Sequence, residues 1–139
     1  MEEEVKSVNW EPFQVEFPNV FRDAEISEMG VGEGWTKLLW NLCKSMEPVV
    51  VQGDEDGTPF RILQVKEKFG ALRFYTEGTS IEAWTLIQEA CARSEAICEA
   101  CGAPGSRCTI DAWIKTLCVA CQMRLGAESS HGCEGLTIE

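Results

Sequence analysis

Cys98 and Cys101 form one Cys-x-x-Cys pair and Cys118 and Cys121 a second, with sixteen residues between the pairs. This spacing is that of a four-cysteine zinc site. Each pair can turn two thiolates toward one ion about 2.3 Å away, and two pairs complete a tetrahedron. Gly102 directly follows Cys101 and Pro104-Gly105 continues the turn, as a knuckle needs if its backbone amides are to face the sulfurs. Disulfides compete with this reading, but an intracellular chain keeps its thiols reduced. A redox centre needs one pair at a strand-to-helix junction rather than two matched pairs, and an iron–sulfur cluster also takes four cysteines. A closed four-thiolate site has no open position for water. The expected cofactor is therefore structural Zn²⁺, bound as its segment folds.

A chain of 139 residues buries one modest core, which metal would supplement. Its 45% hydrophobic content and five tryptophans indicate a folded globule, and eight cysteines fall short of a secreted disulfide scaffold. The opening MEEEVKSVNW is acidic where a signal peptide would be basic, and no apolar run of membrane-spanning length occurs. A cytoplasmic protein is expected. The net charge of −11 is front-loaded: residues 1–33 carry nine acids against two bases. Glu2, Glu3, Glu4, Glu11, Glu16, Asp23, Glu25 and Glu28 are the candidate partner-binding residues in this segment. Such a surface disfavours nucleic acid or anionic membrane and favours a basic protein, although an acidic face can also serve only solubility.

Residues 1–9 read as a loose arm. Trp10, Phe13, Phe17 and Phe21 follow at near-helical spacing, but Pro12 and Pro18 argue for an extended stretch laid over the core. MGVGEG at 29–34 is a glycine-rich turn without the lysine of a phosphate loop. Trp35, Leu38, Leu39, Leu42, Cys43 and Met46 predict a helix over 34–47, stopped by Pro48. Residues 48–52 (PVVVQ) read as a short strand and 53–57 as an acidic turn without EF-hand spacing. FRILQVK at 60–66 and ALRFYT at 71–76 predict a hairpin, which completes a three-stranded meander. Arg61, Lys66, Lys68 and Arg73 gather there beside Phe69, Phe74 and Tyr75, a combination that can bind single-stranded nucleic acid.

Thr79-Ser80-Ile81-Glu82 has the form of a capping box and opens a helix running to about Glu99. Its stripe of Trp84, Ile87, Cys91, Ser94 and Cys98 would pack on the sheet and deliver Cys98 to the metal. Between the ligand pairs a strand is expected over 107–110, with Trp113 and Ile114 seating the knuckles. Cys43 and Cys91 read as buried hydrophobes and Cys108 as a non-ligand. The tail from 126 is rich in glycine and serine and expected to be flexible, with His131 and Cys133 incidental or a weak extra metal pair. With one histidine, no evident triad, no open metal position and no phosphate loop, no enzyme is expected.

GWTKLLWNLC at 34–43, LQVKEKFGALRFY at 63–75, SEAICEACGAPG at 94–105 and WIKTLCVAC at 113–121 together resemble a family of small zinc-ribbon proteins of bacteria and their phages. Members often carry a second glycine where this chain has Ala71, and some end the metal motif in histidine where this chain has Cys121. The resemblance implies a zinc site and a mobile-element setting in a bacterial host cell, and carries no activity with it. The expected architecture is α+β, a small antiparallel sheet with two main helices and a C-terminal zinc knuckle. Its segments are an acidic front (1–33), a core (34–97), a zinc lobe (98–125) and a tail (126–139). The expected function is a non-catalytic interaction protein, an inhibitor that binds a basic surface of a host nucleic-acid-handling complex. A zinc-ribbon nucleic-acid binder using the basic hairpin is the alternative.

Overall fold

A hairpin of β1 (Arg61–Lys68) and β2 (Ala71–Glu77) sits at the centre of the molecule in this computed structural model, which describes residues 5–126. Lys68 pairs with Ala71, so the turn is the two residues Phe69 and Gly70, both left-handed at φ 54° and 81°. That is the primed turn whose twist matches a hairpin. A register shift between Ile62 and Gln64 lets Ile62 and Val65, three apart, both bury beside Leu72 and Phe74. Two strands alone are marginal in water, and here both edges are covered. Along β1, the Glu25 and Gly30 amides donate to the Ile62 and Val65 carbonyls at 3.0 and 2.9 Å. Along β2, the Leu72 amide donates to Ser94 Oγ at 2.9 Å.

Helix α2 (Thr36–Met46) buries Leu38, Leu39, Leu42, Cys43 and Met46, the face its periodicity predicts. Helix α3 (Ile81–Ser94) is capped by Ser80, whose hydroxyl accepts from the Ala83 amide, one residue later than the capping box implies. It ends at Ser94 and buries Ala83, Ile87, Ala90 and Ser94. Trp84 is 56% exposed and does not pack on the sheet. Small residues hold the inward stripe instead, which brings the helix close to β2.

The front of the chain is a packed layer. Helix α1 (Glu11–Glu16) forms where an extended stretch was expected, because Pro12 occupies the first turn, where the missing N–H costs no helical bond. Trp10, Phe13, Phe17 and Phe21 are buried, and Trp40 of α2 meets Phe13 and Phe17 edge-on at 5.0 and 4.6 Å. The arm is tied down from Lys6 onward: the Lys6 carbonyl accepts from Glu33, and the buried Val8 donates to Val31. Residues 48–52 are not a strand. Val50–Gln52 is a 3-10 turn, followed by a loop in which Asp54 Oδ1 accepts from the Asp56 and Thr58 amides. The central sheet thus has two strands rather than three.

A second hairpin pairs β3 (Ser106–Ile110) with β4 (Trp113–Leu117), and α4 (Val119–Arg124) follows. Only β3 was expected. Trp113 lies at the hairpin tip, 72% exposed, and does not seat the knuckles; Leu117 and Cys108 fill that interior with Cys98, Ala100 and Cys121. Two main helices, two small antiparallel sheets and a cysteine knuckle make an α+β fold.

Candidate metal centre

The sulfurs of Cys98, Cys101, Cys118 and Cys121 all lie within 4.8 Å of one another. Cys101 and Cys118 approach to 3.6 Å, close to the edge of about 3.8 Å of a tetrahedron built on 2.3 Å metal–sulfur bonds. Both knuckles are built by backbone. In the first, the Cys98 amide donates to the Ala103 carbonyl at 2.7 Å and Gly102 donates back to the Cys98 carbonyl at 2.9 Å. In the second, Cys118 caps α4, its sulfur accepting from the Cys121 amide at 3.4 Å. Cys98 and Cys121 are buried, Cys118 is half-buried and Cys101 faces solvent. A donor set of four thiolates, without carboxylate or imidazole, suits a tetrahedral thiophilic ion.

Burial pushes the Cys118 thiol up, but hydrogen bonds from the Cys121 amide and the neighbouring thiols outweigh it and bring the group down to about 7. Burial and the adjacent sulfurs push Cys121 up to about 12, against a hydrogen bond from Arg124. Four thiols this close cannot all ionise without a cation among them.

The core grips the first knuckle. Buried Trp35 donates from Nε1 to the Ile97 carbonyl at 2.9 Å, and the Gly34 amide donates to the Glu99 carbonyl at 2.8 Å. A Cβ on Gly34 would lie 2.2 Å from the Cys98 carbonyl oxygen, so only glycine permits this approach. Thr116 of β4 joins the lobe to the central hairpin, its hydroxyl donating to the Gly70 carbonyl at 2.7 Å. Glu99 is buried and accepts from the Thr116 amide at 2.8 Å. Lys115 Nζ stands 3.2 Å from Glu67 and 3.8 Å from Glu99, and Glu67 also accepts from the Gly70 amide. Burial raises the Glu99 carboxyl to about 7, against the Thr116 hydrogen bond and the Lys115 charge. None of Gly34, Glu67, Glu99 or Thr116 was singled out from sequence. The sole pointer was that all four fall inside the recognisable motif stretches.

No family model, curated protein or solved structure matches the chain.

The other candidate residues are not drawn into one site. Glu11, Glu16, Asp23 and Glu28 are exposed, whereas Glu25 is half-buried and paired with Arg61 at 2.9 Å; Glu2, Glu3 and Glu4 lie outside the described residues. Arg61 also donates to the Asp23 carbonyl and stands 3.7 Å from Glu77, so its charge is engaged. Lys66 and Arg73 are direct cross-strand partners, with Lys66 6.0 Å from the Tyr75 ring and Lys68 5.5 Å from the Phe69 ring. Cys43 is buried and its thiol is pushed far up by burial and by Glu47. Cys91 is half-buried, and Cys108 is buried in β3 outside the four-sulfur cluster. His131 and Cys133 lie outside the described residues.

Proposed function

We propose that the protein is a non-catalytic interaction module, built around one structural Zn²⁺ on Cys98, Cys101, Cys118 and Cys121, that binds a basic surface of a protein partner. The observation that carries the reading is the acidic front: residues 1–33 carry nine acids against two bases, and from residue 5 onward they form a layer whose aromatic side packs on the core and whose Glu11, Glu16 and Glu28 face solvent. Charge held on a packed layer presents a defined surface, whereas charge on a loose arm serves mainly solubility. Four thiolates are the donor set of structural zinc, with no position left for water or substrate. In its finer form the proposal makes the partner a host nucleic-acid-handling complex and the protein its inhibitor. That form is supported by the front-loaded negative charge, which suits a basic nucleic-acid-binding surface, and by the resemblance to bacterial and phage proteins.

The test is affinity capture from a bacterial lysate with and without nuclease, followed by binding of the captured protein to a Glu11→Lys, Glu16→Lys, Glu28→Lys variant. Retention after nuclease, with slower association and a flatter salt dependence for the variant, is expected. Unchanged binding would contradict the electrostatic reading. A nucleic-acid-binding reading keeps one specific support, the Lys66–Arg73 pair beside Tyr75 on β1 and β2. Under it, captured material disappears with nuclease, and alanine at Arg61, Lys66, Lys68 and Arg73 abolishes binding.

A further inference from the structure

Each hairpin tip holds one residue that its turn disfavours, Phe69 in the first and Ala112 in the second. The β1–β2 turn holds Phe69 at φ 54°, and the β3–β4 turn holds Ala112 at φ 72° after Asp111 at φ 51°, a position that aspartate tolerates. Asparagine or glycine would relieve each position. The tips instead display aromatic rings, Phe69 at 57% exposure and Trp113 at 72%. Backbone strain held beside exposed rings is a reason to look for function there.

Trp113 and Glu67 line two adjoining cavities. One, of about 380 Å³, runs between the tips and is lined also by Lys68, Phe69, Ala112 and Ile114. The other, of about 470 Å³, combines apolar walls, including Ile110 and Leu117, with the carboxylates of Glu67, Glu99 and Asp111 and the ammonium of Lys115. Carboxylates outnumber cations at its lining. Asp111 is exposed and, among the described residues, has no cationic partner.

We propose that the larger cavity receives an arginine side chain from the basic protein partner, the guanidinium stacking on Trp113 beside Asp111 and the aliphatic stem lying along Ile110 and Leu117. The adjoining groove then takes a neighbouring apolar side chain against Phe69. Charge decides the occupant. An indole face with surplus carboxylate suits a planar cation, and the same carboxylates repel a nucleic-acid phosphate. This inference rests on the reading of the protein as a binder of basic proteins, and adds the element that would tell arginine from lysine.

The test uses the full chain loaded with zinc and two probes, nona-arginine and nona-lysine peptides, with thymidine oligonucleotide as a third. Trp113→Ala is expected to weaken nona-arginine roughly 3- to 30-fold and nona-lysine far less, with zinc content unchanged. Asp111→Asn should act in the same direction. Equal losses for both peptides, or none, would overturn the arginine pocket. If the triple lysine variant at Glu11, Glu16 and Glu28 then still weakens both peptides, the acidic-surface reading survives that failure; if it weakens neither, both fall. Trp113-dependent binding of the oligonucleotide in place of the peptides would make the tips a base-stacking platform and contradict the proposal.

Discussion

Glu99 shows how much of this molecule depends on single side chains that carry no motif of their own. Its backbone pairs with Gly34 and Thr116, while its buried carboxylate is held by the Thr116 amide and faces Lys115. Burial raises that carboxyl from an ordinary 4.5 to about 7. Between those values the folded protein binds more protons than the unfolded chain, so stability falls as pH rises through this window. Denaturation of the zinc-loaded protein across pH 5 to 8 should show that loss in the wild type, and a shallower one in Glu99→Gln. Parallel curves would show that the carboxylate is no more costly folded than unfolded. The four cysteines could be assigned from spacing because metal chemistry admits few spacings. Gly34 could not, since what it excludes is a clash with a carbonyl 64 residues away in sequence, at Cys98.

At the scale of elements, hydrophobic period located α2 and both strands of the central hairpin, where one face is buried and turn chemistry agrees. It failed at α1, where Pro12 looks like a helix breaker until it is placed in the first turn, and at PVVVQ, whose β-branched run takes a 3-10 turn. Trp84 misled the assignment of α3 because a large apolar residue was taken to face inward, whereas the helix packs through Ala83 and Ala90. β4 was missed since its residues alternate weakly and its turn, Asp111-Ala112, lacks glycine. The Phe69 turn supports a prediction at this scale. Phe69→Asn should raise stability by about 1 kcal/mol in urea denaturation, because asparagine tolerates the left-handed region and the exposed ring gives up little packing. A loss of stability would mean that Phe69 packs on its neighbours in solution more than its exposure implies.

The described residues form two apolar clusters of unequal size, one large enough to be a core and one holding little beyond Cys98, Ala100, Cys108, Leu117 and Cys121. A cluster of that size cannot hold two short strands and a six-residue helix by burial alone, and in the proposed metal centre the ion supplies what burial does not. The lobe is in turn docked on the core through Trp35, Gly34 and Thr116, which makes the metal a support for the surface the two hairpin tips create together. The direct measurement is hydrogen exchange on the zinc-loaded chain before and after chelation, with metal content counted by native mass spectrometry. One zinc per chain is predicted, and its removal should abolish protection across 98–124 while the amides of 61–77 keep most of theirs. Full protection of 98–124 in the metal-free chain would contradict a structural metal centre.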